Sequence, residues 1–168
     1  MNCYVLYCLA TKVEQLCDIF NGINDIHAYI PKIEEHVRYQ EEYIVKPLFP
    51  NYLFIETNKG QSEFDVFLES IRKEKKGIIR ELKKDSVSAL RDEEKELLNM
   101  LLNNEYVLKM SEGYIGDNGK AIITKGPLKT FEDNIVNLDK RNRLAYLDIK
   151  FLDRNIKAGL WIKQNTVM

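Results

Sequence analysis

The sequence predicts an α+β protein: an antiparallel sheet packed with helices, followed by a small β-barrel. Three observations carry this. Apolar runs with strand and helix periods alternate over the first hundred or so residues. One of them, Pro47-Leu48-Phe49-Pro50-Asn51-Tyr52-Leu53-Phe54-Ile55-Glu56, is a proline-bounded aromatic run apolar on both faces, which suits a central strand. The last third, by contrast, holds short strands separated by glycine, proline and charged turns. So few strands hide their edges best by closing on themselves.

Cys3-Tyr4-Val5-Leu6-Tyr7-Cys8-Leu9 has high strand propensity and no helix breaker. Thr11 and Glu14 have capping-box spacing, and Val13, Leu16, Cys17 and Phe20 form one helical stripe that ends at Asn21-Gly22. Residues 27–46 read as a long hairpin, since Pro31 excludes a helix; its polar tip runs from about Glu34 to Glu42. In the following strand, period 2 sends Tyr52 and Phe54 to one face and Leu53 and Ile55 to the other. The protein's own helices should cover one face. The other needs an internal cover or a partner.

A second helix begins at Ser62 and buries Phe64, Phe67, Leu68 and Ile71. Gly77 to Leu82 is a short strand. A third helix starts at Ser86 or Ser88, carries Leu90, Leu97, Leu98 and Leu101, and closes at Asn103-Asn104. Periodicity then fades, so residues 1–104 form one domain, 105–115 a linker and 116–168 a second domain. The second contains a strand from Gly119 that ends at Gly126-Pro127, and a strand Ile135–Leu138. The charged turn Asp139–Arg143, a returning strand Leu144–Ile149 and a closing strand Leu160–Ile162 complete it.

Composition excludes several classes. Hydrophobic content of 45% and charged content of 30% describe a folded chain. No apolar run approaches the ~20 residues of a membrane span, and no signal pattern opens the chain. Three cysteines without CxxC spacing fit a reducing, cytoplasmic setting. Cys3 and Cys8 should face opposite sides of one strand, and His27 and His36 complete no ligand set, so neither metal nor cofactor is expected. Glu41-Glu42 and Glu93-Glu94 read as solvated faces. No nucleophile triad or phosphate loop appears, so no enzyme is expected. The net charge of −1 splits into −4 over residues 1–104 and +3 over 105–168. Any basic surface therefore lies in the last third.

Leu48-Phe49-Pro50-Asn51-Tyr52-Leu53-Phe54 resembles the central strand motif of the NusG family of transcription elongation factors, in the wording of its specialised RfaH-type and LoaP-type paralogs. The element order resembles the family's N-terminal domain as well. The resemblance implies an aromatic patch that grips the clamp helices of the RNA polymerase largest subunit, with Tyr7, Phe49, Pro50, Tyr52 and Phe54 as its residues here. Lys125-Gly126-Pro127-Leu128-Lys129 and Asp139-Lys140-Arg141-Asn142-Arg143 are similar to a KOW module of the LoaP type. That implies a monomeric processive antitermination factor whose KOW domain binds a structured nascent RNA. Lys125, Lys129, Lys140, Arg141 and Arg143 would meet phosphates, with Asn142 on a base edge or capping the turn, and Lys150, Arg154 and Lys157 extending the surface. Trp161 is read as core. Where relatives have glycine this chain has Thr130 and Asp133, which puts the loop after Leu128 in question. The alternative is a general elongation factor whose KOW domain binds a termination factor or the ribosome through Leu128 and Phe131.

Overall fold

A computed structural model describes residues 1–84 and 89–164. In chain order these form β1 (Asn2–Cys8), α1 (Val13–Asn21), β2 (Ile26–Tyr29), β3 (Lys32–His36) and β4 (Tyr43–Pro47). There follow β5 (Tyr52–Thr57), α2 (Gln61–Glu74), β6 (Ile78–Glu81), α3 (Asp92–Leu101), β7 (Val107–Leu108) and β8 (Ser111–Ile115). The last stretch holds β9 (Ala121–Lys125), a 3₁₀ helix (Pro127–Asn134), β10 (Ile135–Asp139), β11 (Leu144–Phe151) and β12 (Arg154–Ile162). The mixed α+β class is as the sequence predicts. The chain divides into two compact units, Met1–Pro31 with Phe49–Glu96, and Lys32–Leu48 with Leu97–Met168.

In the first unit the sheet has the order β2-β5-β1-β6, with antiparallel neighbours throughout. Alternation sends Tyr4, Leu6 and Cys8 of β1 and Leu53 and Ile55 of β5 to one side. There they pack with Val13, Leu16 and Phe20 of α1 and with Phe64 and Leu68 of α2. The Tyr4 and Phe64 rings stack at 3.9 Å, and the Tyr4 hydroxyl donates to the Lys59 carbonyl at 2.7 Å, so the one polar atom of this core tyrosine is satisfied. α1 ends where Asn21 holds the β2 backbone, accepting from Ala28 N at 2.7 Å and donating to Ala28 O at 2.8 Å. The capping box expected at Thr11 and Glu14 is not made. Lys12 occupies the cap position without a side-chain bond, and the amides of Lys12 and Val13 are instead bonded to the Leu9 carbonyl. The helix start proposed at Ser86 or Ser88 lies outside the described residues; α3 is helical from Asp92, where Glu94 accepts from the Arg91 amide at 3.0 Å.

The second unit contains two sheets. Hairpin β3–β4 is antiparallel, and β3 also pairs in parallel with β7, giving the order β4-β3-β7. The hairpin tip is shorter than the sequence suggests: strand pairing continues to His36 and Tyr43, and the turn is confined to 37–42. The larger sheet has the order β10-β11-β12-β8-β9. Residues 105–115, expected to link two domains, carry β7 and β8. The latter lies between β12 and β9 in the sheet, parallel to the one and antiparallel to the other.

The expected closed barrel is not formed. Among the described residues no strand pairing joins β9 to β10, and an open cleft of about 560 Å³ lies between these two edges. The 3₁₀ helix crosses this gap. Its Glu132 accepts from the Ile123 amide at 2.9 Å, while Leu128 and Phe131 are buried inside. A side chain thus satisfies a backbone donor that barrel closure would otherwise have paired. Gly126 makes the entry to this helix possible. Its φ is +105°, and a Cβ there would lie 2.5 Å from Ser111 Oγ, the atom that accepts from the Leu128 amide at 3.0 Å. Neither Thr130 nor Asp133 has a positive φ, so the 3₁₀ path makes no demand for glycine at either position.

Candidate functional site

The first unit gathers an aromatic tract on the side of the sheet opposite α1 and α2. Strand register sets Tyr7 directly against Tyr52 and Val5 against Phe54, while β2 sets Tyr29 against Phe54. Directly opposed residues share a face. The rings of Tyr7 and Tyr52 lie 5.1 Å apart, those of Tyr29 and Phe54 5.5 Å, and those of Phe49 and Phe54 6.1 Å. The structure therefore brings together Tyr7, Phe49, Tyr52 and Phe54. They differ sharply in accessibility. Phe54 is 0% exposed, Phe49 3% and Tyr52 7%, whereas Tyr7 is half-buried and Pro50 exposed.

Two residues join this tract that the sequence reading did not single out. Tyr29 was legible in the His27-Ala28-Tyr29 alternation. Arg80 of β6 stands opposite Tyr7, with its guanidinium 5.6 Å from that ring; only the strand order reveals it.

The basic residues expected to meet RNA divide into three groups. One gathers where the last residues of β9 and β12, which run in opposite directions, meet across the start of β8. Lys125 registers with Glu112, and Glu112 with Trp161, so the three lie in one row across β9, β8 and β12. The turn 140–143 reaches the same row, because the Arg143 carbonyl accepts from the Leu160 amide at 2.7 Å. Lys125, Lys129, Lys140 and Arg141 are exposed, and Arg143 is half-buried. The second group, Lys150 and Arg154, lies beside the β11–β12 turn at the opposite end of those strands. Lys157 stands alone in mid-strand, committed to Glu35 of the hairpin at 3.0 Å.

Asn142 caps the turn. Its amide nitrogen donates to Asp139 Oδ2 at 2.7 Å and its backbone N–H to Oδ1 at 3.1 Å, which holds the Asp139 carboxyl below the ordinary aspartate range. Trp161 is half-buried and not core as expected: the Arg143 guanidinium lies 4.1 Å and the Lys163 ammonium 4.5 Å from its ring centroid. Lys163, also ion-paired to Glu112 at 3.0 Å, was missed by the sequence reading, although its position two residues after Trp161 puts it on the same strand face.

Among the described residues no group of three or more His, Cys, Asp or Glu side chains is arranged to hold a metal ion, and no helix is long and apolar enough to cross a membrane. The family model described as transcription termination factor nusG matches residues 1–99. No curated protein matches the chain. The match spans more than half of the chain and takes in the whole strand–helix order of the first unit. The chain therefore belongs to the NusG family of non-enzymatic transcription elongation and termination factors, proteins that interact with RNA polymerase.

Proposed function

We propose that the chain is a specialised NusG paralog acting as a monomeric processive antitermination factor. Its first unit docks on the clamp helices of the polymerase largest subunit, bridging the cleft and disfavouring the paused conformation. Its KOW domain, residues 116–168, holds a structured nascent RNA. Each contact raises the effective concentration of the other.

The observation that carries the RNA half is the gathering of Lys125, Lys140, Arg141 and Arg143 around the row of Glu112 and Trp161, with exposed cations on the turns that follow β9 and β10. Lys150 and Arg154 would engage RNA only as an outlying contact, and Lys157 only at the expense of its ion pair. The polymerase half is supported by family membership and by the continuous aromatic tract. In the free chain Tyr7 and Pro50 are its accessible candidates, and Phe49, Tyr52 and Phe54 are its packed ones.

Accessibility decides the test. Tyr52→Ala removes a ring that is 7% exposed and costs roughly 3–5 kcal/mol of stability, as for other large aromatic truncations. Tyr7→Ala is the cleaner variant. It should abolish co-sedimentation with core polymerase while leaving the melting transition cooperative; unchanged association would remove the docking face from consideration. For RNA, the full chain should bind a stem-loop with an affinity that falls with salt, at a slope of about 0.7–0.9 per phosphate contacted. Lys140→Ala/Arg141→Ala should reduce both affinity and slope, because both side chains are exposed. Feeble binding to every nucleic acid would favour the general elongation factor with a protein partner. That partner would need a surface other than Leu128 and Phe131, which are 0% and 6% exposed.

A further inference from the structure

Trp161 is the chain's single tryptophan, and it sits half-buried at the end of β12 with Arg143 and Lys163 over its ring. Core indoles are enclosed by apolar side chains. This one has two cations against its ring, within the range of cation–π attraction. The groups around it divide the work of holding a nucleic acid. Lys125, Lys140 and Arg141 are exposed cations suited to phosphates. Asn142, the side chain of the turn with base-edge chemistry, is bonded through its amide to Asp139. The indole is the flat surface left at this end.

We propose that Trp161 is a stacking platform for an unpaired nucleobase. The site would then take a stem-loop or bulged RNA in preference to a continuous duplex, whose bases are already stacked on one another. This rests on the RNA-binding reading above and adds to it the residue that selects a loop or bulge over paired bases. Of the two cations, Arg143 stays. Its φ of +53° and the bond from Leu160 N to its carbonyl fix the turn that carries it. Lys163 must leave the ring for the base to stack there, and its side chain, 45% exposed, has solvent to move into.

A lone tryptophan makes the test direct, because emission excited selectively from tryptophan, apart from the tyrosines, reports this site alone. The chain is titrated with a stem-loop RNA, and separately with the same stem as a blunt duplex. Tryptophan emission and the anisotropy of the end-labelled RNA are followed together at low salt. The stem-loop should quench emission saturably, in step with the anisotropy, and the duplex should bind more weakly with little quenching. Trp161→Leu should weaken stem-loop binding by about ten-fold or more, leave duplex binding unchanged, and be partly rescued by Trp161→Phe. A stem-loop that binds by anisotropy while emission stays constant overturns the proposal, a result that needs no variant to fold. Equal affinity of the Trp161→Leu chain for the stem-loop overturns it too. If neither RNA raises the anisotropy, the RNA-binding reading itself fails, which is a distinct outcome.

Discussion

Cys3 and Cys8 lie on opposite faces of β1, and both are fully packed. Burial pushes each thiol up to about 12, so neither forms appreciable thiolate at neutral pH. Cys17 differs. It is half-buried on α1, with its thiol donating to the Ala28 carbonyl at 3.5 Å. A thiol reagent should therefore label Cys17 first in the native protein, with Cys3 and Cys8 following only in denaturant; peptide mass mapping checks this. Gly126 offers a second residue-level expectation. Gly126→Ala places a methyl group 2.6 Å from the Ser111 Cα at a φ of +105°. It should lower stability by about 1–3 kcal/mol, seen as a reduced melting temperature.

At the scale of elements, the hairpin β3–β4 is tied to the rest of the second unit by charge. Glu34 accepts from the Met110 amide at 3.0 Å and pairs with Lys109 at 2.8 Å; Glu35 pairs with Lys46 at 2.6 Å and with Lys157 at 3.0 Å. Burial raises the Glu35 carboxyl, but the two ammonium groups outweigh it and hold it below the ordinary glutamate value. A lowered folded value means that the stabilisation is complete above the ordinary pKa of about 4.3 and is lost as pH falls through the folded one. Acid below the ordinary glutamate range should thus loosen this hairpin, seen as lower protection factors of its amides, and Glu35→Gln should remove that pH dependence.

The same elements show what a sequence can reveal. α1, α2, β1 and β5 were legible because their apolar periods are uninterrupted. β8 was not, because its two buried positions are Ser111 and Gly113. They are small because neighbouring backbone comes close, and that leaves no hydrophobic alternation to read. The ties of Glu35 to Lys157 and of Arg143 to Trp161 likewise join residues on different elements, where no local pattern points from one partner to the other. Period 2 put Tyr52 and Phe54 on one face and the family resemblance added Tyr7, Phe49 and Pro50, but the burial of the tract was not legible, since covering a face is a tertiary event.

For the molecule as a whole, the compact units are not consecutive segments: the chain leaves the first at Pro31, returns at Phe49 and leaves again after Glu96. A fragment beginning at residue 116 lacks β8 and strands β9 without its neighbour in the sheet. Such a fragment should give collapsed, poorly dispersed amide signals, while one that keeps residues 32–48 and 97–168 on the same chain should be well dispersed. The interleaving also sets a schedule for synthesis. Tyr43, Ile44 and Val45 of β4 remain exposed even in the finished fold. During translation the whole hairpin emerges long before β7 or Lys157 exists to hold it. At about 5–20 residues per second, that leaves several seconds in which a hairpin with an apolar outer strand hangs from the ribosome while β3 still lacks its β7 neighbour. Crowded polysomes, more than the mature protein, are where this chain is exposed to aggregation.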